Sequence, residues 1–286
     1  MAQPLTAPAV RAHKGGEPLV MVTAYDAPSA RMADAAGVDL ILVGDSVAMV
    51  VLGYDDTLQV TTADLAHHVA AVARAKPAPL VIADLPWMSY HVGVEDTLRN
   101  AATLVRAGAQ AVKLEGGVKR APMVTAIIDA EIPVMGHIGL TPQSIHAMGG
   151  FKVQGKGVDA AKALLVDAHA LVEAGVFALV LEGVPDTVAR LITESVPVPT
   201  IGIGAGVHCD GQVLVLHDVL GIEDRVLPKF VRRYAELKAD AVAALAAFAD
   251  DVRARRFPSD AESYHLSDDV AAALGLYGGG GATMTA

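Results

Sequence analysis

Eight short apolar runs, each followed by a stretch with helical periodicity, constrain the fold of this chain more than any other feature. Strands that alternate with helices are typical of βαβ units in a parallel sheet, and eight such units in about 250 residues match a (β/α)8 barrel. An open, doubly wound sheet is the alternative, because periodicity does not show closure. We therefore predict an α/β protein, a (β/α)8 TIM barrel, with strands at 19–23, 40–43, 80–83, 111–114, 133–136, 178–181, 200–203 and 213–216.

Three of these units share an internal repeat that ends on an acid. Segments 35–45, 106–115 and 173–182 each contain a helix end, a glycine, a short link, an apolar strand and then a carboxylate. The glycine suits the left-handed position that commonly follows a helix. In a βα barrel the carboxyl ends of the strands converge on the face that holds the active site. The repeat therefore predicts that several acids meet on that face.

The composition agrees with a barrel and restricts the partners of the protein. Of 286 residues, 53% are hydrophobic but only 4% are aromatic, which predicts an aliphatic core. A formal net charge of −10 without a basic stripe disfavours nucleic acid as a partner, and one cysteine excludes a disulfide framework and a thiolate zinc site. The N-terminus lacks the apolar segment of a signal peptide, and no apolar run is long enough for a bilayer. We therefore expect a cytoplasmic protein.

The last part of the chain is predicted to be helical beyond the barrel. An Ala-rich stretch at 228–257 is typical of one long helix, and a second helical pattern follows at 268–276. The glycine-rich tail, 278–286, has almost nothing to bury, so we expect it to be disordered. We interpret residues 1–286 as a single barrel domain with C-terminal helices from about residue 228.

Asp45, Asp84 and Glu115 follow the second, third and fourth predicted strands. Carboxylates at neighbouring strand ends repel each other unless a cation or a shared proton lies between them. Oxygen ligands without cysteine favour Mg²⁺, which commonly takes one or two carboxylates and keeps water or substrate oxygens in its other positions. For either aspartate alone, a helix N-cap is an equal alternative. The three acids together favour a site for a hard divalent cation.

Lys113 lies two residues before Glu115 on the same predicted strand, so both side chains share a face. A lysine inside a barrel is costly to bury unless it is paired. It could form a Schiff base with a carbonyl substrate, or it could bind an anionic carboxylate or enolate oxygen as a point charge. A simple salt bridge to Glu115 or Asp84 is the third possibility.

Glu182 ends the sixth predicted strand, and a carboxylate with such apolar neighbours is a usable general base near neutral pH. A helix cap or a salt bridge is the alternative. His137 and Ser46 complete the polar groups at strand ends, although a lone histidine there is more often structural. A divalent cation, a positive charge, a base and hydrogen-bond donors suit proton removal next to a carbonyl. The enolate would then attack a carbon electrophile, or the reverse cleavage would occur.

The residues also carry a family resemblance, over residues 5–257. The segments VTAYDAPSARMADAAGVDLILVGDS, GYDDTLQVTTADL, ADLPWMSY, AVKLEGG, MGHIGLTPQS, GGFKVQGK, LVLEGVP and TIGIGAG together resemble the ketopantoate hydroxymethyltransferase family. The match is ordered and includes most strand ends, so it is far more specific than one short motif.

That resemblance implies a (β/α)8 barrel of the phosphoenolpyruvate/pyruvate-like enolate type and a reaction in pantothenate biosynthesis. A hydroxymethyl group would pass from 5,10-methylenetetrahydrofolate to 3-methyl-2-oxobutanoate, via an Mg²⁺-stabilised enolate, and give 2-dehydropantoate (ketopantoate). It also implies a ring-like homodecamer in which C-terminal helices cross to neighbouring subunits. The partners would be the 2-oxo acid and the folate, without nucleic acid or membrane.

Roles for individual residues follow from the same resemblance. Asp45 and Asp84 would bind Mg²⁺ directly and Glu115 through water. The 2-oxo acid would chelate the metal and contact Asp45, Ser46, Asp84 and Lys113. Glu182 would accept the proton from C3, and His137 would lie near the new hydroxymethyl group. No departure from the family pattern occurs at these positions, and the residues of the folate pocket are not identified.

Three alternatives remain open at this point. A lyase or aldolase that acts on pyruvate-like acids would use the same acids and Mg²⁺ but would need no folate. An enzyme that uses Lys113 as a Schiff-base nucleophile would be trapped by borohydride and would resist EDTA. A catalytically inactive barrel that serves as a binding protein would bind a 2-oxo acid without exchanging its C3 hydrogen.

Overall fold

The computed structural model describes residues 4–223, 225 and 227–275, and within them eight parallel strands form a closed barrel. The strands follow one another around the barrel in sequence order, and the eighth pairs with the first. The strands are β1 (Leu19–Thr23), β2 (Leu40–Val43), β3 (Leu80–Asp84), β4 (Ala111–Glu115), β5 (Val134–Gly139), β6 (Ala178–Glu182), β7 (Thr200–Ile203) and β8 (Gly211–Leu214). Closure confirms the (β/α)8 prediction and excludes the open sheet.

The eighth strand lies two residues earlier than the sequence pattern predicts, at Gly211–Leu214 instead of 213–216. The reason is its pairing with β1, in which Leu19 is opposite Gly211. A Cβ at Gly211 would lie 2.5 Å from the carbonyl oxygen of Leu19, so only glycine fits where the two strands meet. The apolar pattern missed the start of the strand because glycine is uncommon in strands and Gln212 is polar.

Helices surround the barrel. The glycines of the internal repeat lie just after the C-terminal ends of three of these helices, as predicted. Gly37, Gly108 and Gly175 have φ angles of +74°, +118° and +102°, which other residues rarely adopt. The helices are α1 (Ala7–Ala12), α2 (Ala27–Ala35), α3 (Val47–Val50), α4 (Thr62–Arg74), α5 (Val94–Ala107), α6 (Ala121–Asp129), α7 (Ile145–Met148), α8 (Val158–Glu173), α9 (Asp186–Ser195), α10 (Leu216–Leu220), α11 (Leu237–Arg253) and α12 (Asp268–Ala273).

The core has two layers, because successive side chains of a strand point to opposite faces. One layer packs the strands against the surrounding helices. The other fills the barrel interior with residues such as Met21, Leu40 and Ile82, and it includes Ala7 and Val10 of α1. The core is aliphatic, as the composition predicts.

The chain divides into two compact units, 1–235 and 236–286. The first contains the barrel, and the second contains α11 and α12. The interpretation as a single domain stays a prediction. The predicted tail, 278–286, lies outside the described residues. No helix in the described part of the chain has the length and apolar composition needed to cross a membrane.

The prediction of one continuous helix over 228–257 is wrong in its first part, because α11 begins only at Leu237. Residues before it make tertiary hydrogen bonds instead. The Tyr234 N–H donates to the Val219 carbonyl at 2.8 Å, and Arg233 donates to the Glu223 carbonyl at 2.9 Å. These contacts hold the segment in an irregular path despite its helical composition, as tertiary context often does.

Candidate active site

The two-residue period of the strands brings five polar side chains into the barrel interior near its carboxyl end. In β3 and β4 the inward positions that begin with Leu80, Ile82 and Ala111 end at Asp84, Lys113 and Glu115. In β5 and β6 the same alternation ends at His137 and Glu182. Asp45 and Ser46 join them from the turn after β2. The structure thus brings all seven predicted site residues to one end of the barrel.

Asp45 and Asp84 lie next to each other. The Asp45 backbone N–H donates to Asp84 Oδ2 at 3.0 Å, and both side chains are buried. Burial, Asp84 and Glu115 raise the pKa of Asp45 well above its usual value. Burial also raises the pKa of Asp84, although Lys113 opposes this effect. The two ionised carboxylates are therefore unstable together without a compensating cation.

Lys113 supplies one positive charge to this group of acids. Its Nζ lies 2.8 Å from Asp84 Oδ1 and 3.2 Å from His137 Nδ1. Burial alone would lower the pKa of Lys113, but Asp84, Glu115 and Asp45 raise it above the usual lysine value. The side chain is consequently an ammonium group near neutral pH, which suits a point charge for an anion and disfavours the Schiff-base alternative.

Glu115 differs from the two aspartates because the groups around its carboxylate outweigh the effect of burial on its pKa. Its Oε2 accepts from the Gln143 backbone N–H at 3.0 Å, and its Oε1 lies 3.4 Å from His137 Nδ1. Burial would raise the pKa of Glu115, but His137, Lys113 and the Gln143 N–H lower it below the usual value. This acid is therefore ionised in its buried position.

His137 connects the acids to Glu182, with 3.2 Å between His137 Nε2 and Glu182 Oε2. Burial and Lys113 lower the pKa of His137, whereas Glu115 and Glu182 raise it, and the net result is a pKa of about 9. The side chain of Glu182 is 15% exposed, in contrast to 3% for Asp84 and 2% for Glu115. Glu182 therefore has both a polar neighbour and access to water.

Ser46 faces the same space as the aspartates. A Cβ placed on Gly44 would lie 3.0 Å from Ser46 Oγ and 3.1 Å from Asp84 Oδ2. The Ser46 hydroxyl shares a 2.9 Å hydrogen bond with the hydroxyl of Tyr25, a buried residue after β1. Tyr25 also lines a cavity of about 460 Å³ together with His68 and His217.

Three contributors to the site were missed by the sequence analysis, namely Tyr25, Tyr90 and Gln143. The Gln143 amide donates to Asp45 Oδ2 at 2.8 Å, and the Tyr90 hydroxyl donates to the Gln143 amide oxygen at 2.6 Å. The only sequence signal for them is that each lies within one of the segments that carry the family resemblance.

The donor set fits a hard divalent cation. Three buried carboxylates face one lysine, and Asp84 Oδ1 has no aligned hydrogen bond despite its ion pair with Lys113. In the described part of the chain no three His, Cys, Asp or Glu side chains could hold an ion by themselves. Two carboxylates with water or substrate oxygens in the other positions is the arrangement that Mg²⁺ commonly takes.

The sequence and the fold are similar to those of known proteins. Residues 5–260 match the model of a family described as ketopantoate hydroxymethyltransferase. The 3-methyl-2-oxobutanoate hydroxymethyltransferase of Methylobacterium sp. (strain 4-46) is 56% identical over 259 residues, which are 91% of this chain and 90% of that protein. The protein of the same name from Moorella thermoacetica is 56% identical over 262 residues, 91% of this chain and 97% of that protein.

Among solved structures, phosphoenolpyruvate phosphomutase from Streptomyces platensis subsp. rosaceus is similar with a TM-score of 0.59 and 16% identity. The alignment covers 95% of this chain and 96% of that chain. At this identity the likeness concerns the barrel fold alone.

Proposed function

The chain belongs to the ketopantoate hydroxymethyltransferase family, and from that premise we propose that it makes 2-dehydropantoate from 3-methyl-2-oxobutanoate and 5,10-methylenetetrahydrofolate. Water supplies the hydroxyl oxygen, and tetrahydrofolate is released. This reaction would serve pantothenate biosynthesis. The observation that carries the proposal is the convergence of Asp45, Asp84, Lys113, Glu115 and Glu182 at one end of the barrel, within the matched residues.

We assign the metal site to three acids. Asp45 and Asp84 would hold Mg²⁺ directly, and Glu115 would reach it through water. Support comes from their burial, their oxygen chemistry and the raised pKa values of the two aspartates. When bound, the ion would act as a Lewis acid that increases the acidity of the carbon next to the keto group.

The remaining residues would bind the substrate and move its proton. Lys113 provides the positive charge that a 2-oxo acid carboxylate or a developing oxyanion requires, and the Ser46 hydroxyl provides a hydrogen bond. Glu182 would take the proton from C3, which frees that electron pair for the new bond to the folate-borne carbon. His137, 3.2 Å from Glu182, would hold this carboxylate and lie near the new hydroxymethyl group.

Exchange of the C3 hydrogen tests this proposal before any folate is added. We expect the protein to exchange the C3 proton of 3-methyl-2-oxobutanoate for deuterium with Mg²⁺ present and not with EDTA, as followed by proton NMR. Addition of 5,10-methylenetetrahydrofolate should then give 2-dehydropantoate. Metal-dependent exchange without product would favour a lyase-like enzyme, and binding without exchange would favour the inactive barrel.

The assembly is a further part of the proposal. Helix α11 has 17 residues, none of which is buried, and its large apolar residues include Leu245 and Phe248 at 67% and 52% exposure. Such a surface is typical of an interaction site. We propose that α11 packs on neighbouring subunits of a homo-oligomer, which by family resemblance would be a decamer.

A further inference from the structure

Gln143 is a buried, uncharged residue whose side-chain amide and backbone N–H form hydrogen bonds within the candidate site. It lies in the short 3-10 turn Pro142–Ser144 that follows β5, and it is 5% exposed. Its amide nitrogen donates to Asp45 Oδ2 at 2.8 Å and to the Leu85 carbonyl at 3.0 Å. Its backbone N–H donates to Glu115 Oε2 at 3.0 Å. A single residue after β5 thus contacts Asp45 after β2, Leu85 after β3 and Glu115 at the end of β4.

The orientation of the Gln143 amide is fixed by Tyr90. The Tyr90 hydroxyl donates to the amide oxygen at 2.6 Å, and the Glu115 backbone N–H approaches the same hydroxyl at 3.3 Å. A flipped amide would direct its oxygen at Asp45 Oδ2 and at the Leu85 carbonyl, where it would meet two acceptors. The hydrogen bonds are therefore compatible with only one orientation of the Gln143 amide, in which its NH₂ group faces Asp45 Oδ2 and the Leu85 carbonyl.

From these contacts we infer that Gln143 is a positioning residue, which holds Asp45 and Glu115 in the orientation that a divalent cation and a 2-oxo acid require. It engages Asp45 Oδ2 and leaves Asp45 Oδ1 for the ligand, and it engages Glu115 Oε2 while Glu115 Oε1 faces His137. It adds no charge, whereas a glutamate at this position would place a further carboxylate against Asp45. The inference rests on the proposed function, and it concerns a residue that would touch neither metal nor substrate.

A residue that orients metal ligands affects metal affinity directly, and loss of such a partner typically weakens binding by about 10- to 100-fold. A residue that only stabilises the fold would lower the melting temperature and leave the metal affinity of the folded protein unchanged. Calorimetric titration of the full chain with Mg²⁺ alone, well below the melting temperature of every variant, separates these two roles.

The test compares Gln143→Met, which keeps the volume and removes the donors, with Gln110→Met. The Gln110 side chain accepts a hydrogen bond from the Val81 N–H at 3.0 Å, before β4 and away from the carboxylates. We expect Gln143→Met to raise the Mg²⁺ dissociation constant at least tenfold and to raise the KM for 3-methyl-2-oxobutanoate. Gln110→Met should leave both values unchanged. Tyr90→Phe, which keeps Gln143 but frees its amide, should give a smaller increase.

Wild-type affinity for Mg²⁺ in Gln143→Met would overturn the inference while leaving the proposed function intact. If Gln143→Met fails to fold, Tyr90→Phe and Gln143→Asn provide the test, because the shorter amide of asparagine does not reach Asp45. Wild-type Mg²⁺ affinity in both variants would again overturn the inference. A wild-type chain that binds no Mg²⁺ would overturn the proposed metal site itself, and the positioning role with it.

Discussion

Contact with water separates Glu182 from the other carboxylates of the site. Its side chain is 15% exposed, whereas those of Asp84 and Glu115 are 3% and 2% exposed. A base that takes a proton from carbon must pass it on, to solvent or to the leaving folate, before the next turnover, and a sealed carboxylate does this poorly. The position of Glu182 is therefore suited to proton transfer, and the positions of the aspartates to charge compensation.

Replacement of Glu182 by glutamine tests whether this residue, and not one of the aspartates, is the base. The variant Glu182→Gln keeps the shape of the side chain but cannot accept the proton. We expect the C3 exchange rate to fall about 10²- to 10⁴-fold, while calorimetry still detects binding of 3-methyl-2-oxobutanoate with Mg²⁺. The control is Glu194→Gln, an acid on α9 whose side chain is 68% exposed. Normal exchange in Glu182→Gln would show that another group is the base.

Lys113 allows a second test, because its environment keeps it protonated. Asp84, Glu115 and Asp45 raise its pKa despite burial, so the amine is not available to attack a keto group. We expect sodium borohydride with 3-methyl-2-oxobutanoate to leave the activity intact and EDTA to abolish it. A mass increase on the peptide that contains Lys113 after borohydride, with activity resistant to EDTA, would instead identify a Schiff-base enzyme.

The strands and their terminal acids could be predicted from the sequence because both depend on local pattern. Short apolar runs give the strands, and a two-residue period places Lys113 and Glu115 on one face. The role of Gln143 depends on a contact with Asp45, 98 residues earlier in the chain, and no local pattern encodes it. The late start of α11 is likewise set by tertiary contacts, since hydrogen bonds of Arg233 and Tyr234 to residues 10 and 15 positions earlier override helix propensity before Leu237.

The opposite end of the barrel is held by a network around Asp210, just before β8. Lys14 Nζ lies 2.8 Å from Asp210 Oδ2, which also accepts the Thr200 N–H at 2.8 Å, and Asp210 Oδ1 accepts the Gly15 N–H at 3.1 Å. Burial would raise the pKa of Asp210, but these partners lower it below the usual value. The network joins the segment after α1 to the starts of two strands.

We expect Asp210→Asn to lower the free energy of unfolding at pH 7 by about 1 kcal/mol, after allowance for solvent screening of a partly exposed group. Because the folded-state pKa is depressed, this stabilisation is present above the unfolded-state pKa of about 4 and is lost as the pH falls through the folded-state value. Urea unfolding should therefore show a smaller difference between variant and wild type near pH 3 than at pH 7. A difference that does not depend on pH would contradict the role of the ionised carboxylate.

The control for that experiment is Glu95→Gln. Glu95 pairs with Arg99 at 2.6 Å, but its side chain is 81% exposed. Exposed pairs contribute little to stability, so the unfolding curve should not change.

The exposed apolar residues of α11 bear on how the protein assembles. Val242, Leu245, Phe248 and Val252 recur at intervals of three or four, which places them on one side of the helix, and they are 58%, 67%, 52% and 45% exposed. An apolar stripe of this kind is costly to leave in water. A homo-oligomer in which α11 covers a neighbouring subunit would remove that cost.

The double variant Leu245→Lys/Phe248→Lys should therefore reduce the number of subunits, because each added charge would be desolvated in the interface. Sedimentation velocity measures the change, and circular dichroism checks that the barrel remains folded. Ala243→Lys, on the opposite side of α11, is the matched control and should sediment like the wild type. A monomeric wild type, or a double variant of unchanged size, would contradict the assembly through α11. If the assembly dissociates and C3 exchange continues at the wild-type rate, each barrel contains a complete site, as expected when all seven predicted residues come from one chain.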